Sequence, residues 1–116
     1  SNPLLDTGSY KDLQSGKYVH IEHKVSPKPL RDFAVEDFLK YPKLAEEAGI
    51  EGKVIIAAFI NPIGVIKNAY LVKGVFASLD AAALSAVKKT KWIPAKTEDG
   101  KKIGVWVYIP VWFKLK

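Results

Sequence analysis

Cysteine is absent from this sequence, which excludes disulfides and thiolate metal sites and leaves the redox compartment unreadable from cysteine usage. Long hydrophobic runs are missing as well. The longest, residues 54–60, falls far short of the roughly 20 residues that span a bilayer, so the chain as it stands is expected to be soluble. Its opening carries no signal-peptide pattern, and Ser1-Asn2 reads as a scar, which leaves room for an upstream anchor or signal. Histidine is scarce. His20 and His23 are the only two, and on a strand they fall on opposite faces, so they cannot converge on one metal. No metal and no cofactor are expected.

What is present suffices for one domain. A chain of 116 residues buries roughly 65% of its unfolded-chain surface and needs no covalent staple. The net charge of +6 comes from lysines spread along the chain, with clusters at Lys88, Lys89 and Lys91 and at Lys101 and Lys102. The first cluster lies where a helix should end, where cations meet the negative end of the helix dipole. No stacking-aromatic motif or recognition-helix pattern accompanies it, so nucleic acid is not an expected partner.

Residues 52–73 organise the rest. They read as a β-hairpin whose first strand, residues 53–60, is apolar on both faces. Asn61-Pro62-Ile63-Gly64 has Asn first, a φ-locked Pro second and Gly fourth, as a type I turn prefers. That turn sets Ile60 opposite Val65. With a period of two, Val54, Ile56, Ala58 and Ile60 share a face with Val65, Ala69 and Leu71, and Ile55, Ala57 and Phe59 share the other with Ile66, Asn68 and Tyr70. A strand apolar on both sides belongs at the centre of a sheet.

Around the hairpin, residues 1–17 are rich in Ser, Gly, Asp, Asn and Pro and read as an extended lead or arm. Within it, Asp6-Thr7-Gly8 matches the signature of retroviral-type aspartic proteases, but only five residues precede Asp6, too few to present the catalytic loop, and nothing later resembles flaps. No catalytic residue is assigned. Residues 18–25 alternate as a half-buried or edge strand, ended by Pro27 and Pro29. Phe33, Phe38 and Leu39 suggest a short helical turn with its aromatics inward. Tyr41-Pro42 opens a second helix, with Pro at its first position, Leu44, Ala45 and Ala48 as its inner stripe and Gly49-Ile50 as a left-handed C-cap. Ser78 is a natural N-cap for a third helical stretch whose stripe is Leu79, Ala83, Leu84, Ala86 and Val87. Lys91-Trp92-Ile93-Pro94 ends it.

Residues 103–115 form the last strand. Its odd positions, Ile103, Val105, Val107, Ile109, Val111, Phe113 and Leu115, make an unbroken apolar row that should face the helices, and its even positions include Trp106, Tyr108, Pro110 and Trp112. Proline cannot donate to a ladder, so Pro110 argues for an edge strand or a bulge. A long edge is a docking surface unless something covers it.

Taken together, Tyr41-Pro42-x-x-Ala45-x-x-x-Gly49-Ile50-x-Gly52-x-Val54, the hairpin, Leu79-Asp80-x-x-Ala83-Leu84-x-x-Val87, Lys91-Trp92-x-Pro94-x-Lys96, Gly100-Lys101 and Val105-x-Val107-x-Ile109-Pro110-Val111-x-Phe113 resemble the C-terminal domain of TonB energy transducers. The resemblance implies an α+β fold: a three-stranded antiparallel sheet, made of the hairpin and the C-terminal strand, with two helices on one face and an additional N-terminal strand as an extension. It places the domain at residues 18–116. It further implies a periplasmic, non-enzymatic module, held at the inner membrane by a segment outside this chain. Such a module binds the N-terminal peptide of outer-membrane TonB-dependent transporters by strand addition along its last strand, coupling the proton-motive force to transport. Inner-membrane motor proteins would engage the missing N-terminal region. Carried over by position, the partner-binding residues are Val105, Val107, Ile109, Val111 and Phe113 of the strand, through their backbone, and Tyr41 and Pro42 of the adjoining loop. The alternative is a TonB-like interaction or assembly domain without energy transfer.

Three departures from the family stand out. The hairpin turn lacks the usual acidic Asp-Gly, Ala95 stands where many members carry Gly, and the sheet face opposite the helices holds Ile55, Ala57, Phe59, Tyr70, Trp106, Tyr108 and Trp112. So broad an apolar face is unusual on a monomer. The expected cover is either the N-terminal segment folding back or a second subunit in a homodimer.

Overall fold

The structure, a computed structural model, describes residues 9–11, 18–20 and 25–116. In chain order its elements are β1 (Ser9–Lys11), β2 (Tyr18–His20), β3 (Lys28–Pro29), α1 (Val35–Phe38), α2 (Lys43–Glu47), β4 (Gly52–Ile60), β5 (Ile66–Lys73), α3 (Ala77–Lys89), β6 (Trp92–Ile93), β7 (Ala95–Lys96), β8 (Lys102–Ile103) and β9 (Val105–Phe113). The main sheet is antiparallel with order β5-β4-β9, so the two-sided apolar strand is the central one. Short pairs decorate it: β1 with β2, β3 with β6, and β7 with β8. Asp6 and His23 lie outside the described residues, and no helix among the described residues is long and apolar enough to cross a membrane.

The core lies between one sheet face and the helices. Val54, Ile56, Ala58 and Ile60 of β4, Val105, Val107, Ile109, Val111 and Phe113 of β9 and Leu79, Ala83 and Val87 of α3 are all buried in one cluster. Each large aliphatic side chain there contributes about 1.5–3 kcal/mol relative to exposure, so this layer dominates the stability of the fold. The odd row of β9 faces the helices, as its alternation implies. At the far end of α3 the buried Thr90 Oγ1 donates to the Val87 carbonyl at 2.6 Å and accepts from Trp92 Nε1 at 2.8 Å. That chain satisfies the indole N–H inside the core.

The turn after β4 forms as its sequence implies, and it adds a bulge. Gly64 N–H donates to Asn61 O at 2.9 Å and Asn61 N–H to Val65 O at 3.1 Å, while Asn61 Oδ1 accepts from the amides of Ile63 and Val65. This is a type I turn closed by a glycine at φ +82°, the geometry of a G1 bulge. Thr97 to Lys101 repeats the same pair of bonds between β7 and β8.

Four local expectations are corrected. Ile60 pairs with Ile66 rather than Val65, because the Gly64 bulge sets Asn61 opposite Val65; a second irregularity between Phe59 and Ile60 then brings Ala69 and Leu71 opposite Ala58 and Ile56, and Val65 also bridges to Lys91. Pro42 is the N-cap of α2, one place before its first helical residue. Leu44 is 75% exposed and Ala48 is exposed too, leaving Ala45 alone buried. A five-residue helix has room for one inward position only. Ser78 is not the N-cap of α3: the helix starts at Ala77, capped by the backbone of Phe76, and Asp80 Oδ1 accepts from the Val75 amide at 2.9 Å. The carboxylate thus ties down the chain entering the helix, and no side chain caps the first-turn amides. By contrast α2 does end in a Schellman motif, with Gly49 at φ +70°, its amide bonded to Glu46 O at 3.1 Å and the Ile50 amide to Ala45 O at 2.9 Å.

Gly64 carries two demands at once. Its φ lies in the left-handed region, and a Cβ there would overlap the Trp92 carbonyl, whose own amide donates to Gly64 O at 2.8 Å. We expect Gly64→Ala to destabilise the domain by at least about 2 kcal/mol, the left-handed penalty of roughly 1–2 kcal/mol plus the cost of displacing residue 92. Urea unfolding should show a lower midpoint at an unchanged slope.

Candidate functional site

The sheet has two outer edges, and they differ in regularity. The β5 ladder to β4 is interrupted twice, between Ile55 and Ile56 and between Phe59 and Ile60. The β9 ladder to β4 runs without a break from Gly52↔Phe113 to Ile60↔Val105. Bulges twist an edge away from further pairing, whereas a straight, regular edge is a template for another strand. β9 is therefore the edge suited to receive one.

Which backbone groups it presents follows from parity. The Asn61 amide bonds to the β5 side, so odd-numbered residues of β4 direct their backbone at β5 and even-numbered ones at β9. Opposite the even residues stand Val105, Val107, Ile109, Val111 and Phe113, whose backbone groups therefore face β4. The outward groups of β9 belong to the other set, Trp106, Tyr108, Pro110 and Trp112. Pro110 sits opposite Ile55 without breaking the register because its nitrogen points outward, where the ladder needs no donor. An incoming strand would find amide donors at Tyr108 and Trp112 and a carbonyl alone at Pro110.

The residues carried over from the family resemblance thus divide. Val105, Val107, Ile109, Val111 and Phe113 have side chains at most 6% exposed and backbones turned toward β4. Tyr41 and Pro42 are half-buried at the C-terminal end of β9. There the Tyr41 ring stands edge-on to Phe113, with centroids 5.4 Å apart, and its hydroxyl donates to the Ile50 carbonyl. Glu51 Oε2 accepts the Leu115 amide at 2.6 Å and fixes the strand beyond Phe113. Burial, then the carboxylates of Glu51 and Glu46, push the Tyr41 hydroxyl above its ordinary pKa. The outward parity of β9 is not evident from its apolar row, and its one mark in the sequence is Pro110.

On the face away from the helices, Ala57 is buried while Tyr70 and Trp112 are 53% and 65% exposed, with Tyr108 also exposed. Ile55, Phe59 and Trp106 are half-buried. Trp106 lies 5.6 Å from Phe59 and 5.7 Å from Tyr70, ring centre to ring centre, so the aromatics cover much of this face themselves. Lys53 Nζ stands 5.0 Å from the centre of the Trp112 ring. Among the described residues, no group of three His, Asp or Glu side chains is placed to hold a metal ion.

Comparison with known proteins gives a consistent result. The family model described as Gram-negative bacterial TonB protein C-terminal matches residues 38–115. Protein TonB of Vibrio cholerae is 35% identical over 78 residues, covering 66% of this chain and 32% of that protein. Protein tonB2 of Pseudomonas aeruginosa is 36% identical over 77 residues, covering 66% and 28%. The chain thus spans about a third of the length of the curated relatives it matches. Among solved structures, the Helicobacter pylori TonB-CTD aligns with TM-score 0.57 at 32% identity, covering 71% of this chain and 74% of that one. The Pseudomonas aeruginosa TonB CTD aligns with TM-score 0.60 at 25% identity, covering 78% and 87%.

Because the folded state raises the Tyr41 pKa, its stabilising contribution is fully present below the unfolded value near 10 and is lost as pH rises through the folded value. Tyr41→Phe keeps the ring on Phe113 and removes the donor to Ile50. We expect the variant to unfold at lower urea at neutral pH and to lose less stability than the parent above about pH 10, read from urea midpoints across that range.

Proposed function

The chain belongs to the TonB C-terminal domain family, and on that premise we propose that it is the periplasmic peptide-binding module of a TonB-type energy transducer. It takes up the N-terminal peptide of outer-membrane transporters as an added strand and passes on work drawn from the proton-motive force. The transducer's inner-membrane anchor and its contacts with motor proteins lie outside this chain. The module performs no catalysis of its own.

One observation carries this reading: a nine-residue edge strand whose register is unbroken, at the end of a sheet whose other edge is bulged. Strand addition draws its affinity from main-chain hydrogen bonds, so it needs regular backbone groups at an accessible edge more than it needs particular side chains. The outward parity of Tyr108, Pro110 and Trp112 supplies two donors and three acceptors, and Tyr41 with Pro42 borders the C-terminal end of that edge. The buried odd row holds that edge rigid from behind. A module of this build transmits pull along the peptide through several parallel hydrogen bonds.

Isothermal titration with N-terminal peptides of the host's transporters tests the reading. We expect saturable binding to at least one. Proline placed at the two peptide positions that face Tyr108 and Trp112 removes two main-chain bonds, each worth about 0.5–1.5 kcal/mol, and should weaken binding roughly 5- to 150-fold. Proline one residue out of phase should cost far less. If no transporter peptide binds and the chain sediments as a dimer that Trp112→Ala dissociates, the exposed aromatic face makes it an assembly domain instead.

A further inference from the structure

The N-terminal strands bear on the same edge. β1 pairs antiparallel with β2 in the register Ser9↔His20, Tyr10↔Val19 and Lys11↔Tyr18. Cα atoms of β1 come within 8 Å of those of β9, and no comparable approach to β4 or β5 accompanies this. With β4 bonded along one side of β9, a strand that nears β9 much more than β4 stands toward the opposite side, at the outer edge. Even so, β1 belongs to a separate two-stranded sheet and does not extend the main one. It stands beside the edge without completing a ladder.

We propose that β1 is the resident occupant of the β9 edge, a short internal strand that an incoming peptide displaces. The proposal rests on the reading of that edge as the docking site and adds a regulator to it. Length makes the contest lopsided in the right sense. β1 has three residues against the nine of β9 and forms no ladder with it, so it covers part of the edge and a longer peptide gains main-chain bonds that β1 does not make. Tethering makes the contest real. Val25, a few residues after β2, is bridged to Lys96 by amide bonds of 3.3 and 3.0 Å in the two directions, which holds the segment near the sheet and keeps its local concentration high. An edge that would otherwise invite pairing with other copies is thereby kept occupied until a partner arrives.

The chain has no cysteine, so Ser9→Cys carries a single nitroxide label cleanly. In the full chain we expect the label to broaden the amides of Tyr108 and Trp112 more than those of Ala69 and Leu71 on β5, and a saturating transporter peptide to restore them. Tyr10→Pro, and separately Val19→Pro, should tighten peptide binding about threefold to tenfold, because the competent state is no longer partly occupied. Broadening absent from β9, broadening that persists at peptide saturation, or affinity unchanged in both proline variants would overturn the proposal. Should every variant fail to bind any peptide, the docking reading falls, and broadening at β9 would still support β1 as occupant of the edge.

Discussion

The fold depends on β4 being paired on both edges and covered on both faces. Val54, Ile56, Ala58 and Ile60 are buried on the helix side with their backbones bonded to β9, and Ile55, Ala57 and Phe59 are bonded to β5 and lie on the aromatic face. A buried main-chain group left without a partner costs about 1–3 kcal/mol, so neither neighbour can slip without exposing the centre to that penalty. The register of β9 is fixed for the same reason. A slip of one residue would turn its apolar row to solvent and its tryptophans into the helices. The outward parity on which the proposed strand docking relies is thus a by-product of core packing.

The second sheet face shows how small and large residues divide the work. Ala57 lies at the middle of the central strand, and its lack of bulk lets Tyr70, Trp106 and Phe59 close over it. Aromatic pairs at these separations add about 0.5–1.5 kcal/mol beyond the area they bury. The face is therefore a shallow second core, with Tyr70 exposed on β5 and an exposed rim on β9 at Tyr108 and Trp112. That rim lies on the same strand as the proposed docking edge. A peptide pairing with β9 would run beside both rings, which offers side-chain contacts on top of the main-chain bonds.

Much of this was legible in the residues, and the failures have physical causes. The two-sided apolarity of β4 and the odd row of β9 gave the sheet order, because alternation over nine residues leaves one solution. The Gly49-Ile50 cap was equally clear. The pairing of Ile66 was not, since Val65 and Ile66 are both apolar and an inserted bulge residue leaves no mark on a degenerate pattern. Leu44 misled because a stripe argument assumes several turns, and α2 has barely more than one. Ser78 misled because the helix begins one residue earlier, at Ala77, which leaves the hydroxyl inside the first turn rather than at the cap. For the site, Pro110 announced an edge, but its parity became usable only once the Asn61 bond showed which way β4 faces.

Amide hydrogen exchange, read residue by residue with and without a bound transporter peptide, tests the central claim most directly. If the β9 edge is the docking site, exchange at Tyr108 and Trp112 slows on binding while Val107, Ile109 and Val111, already bonded to β4, keep their rates. Slowing confined to β5, or spread equally over odd and even positions of β9, would contradict it.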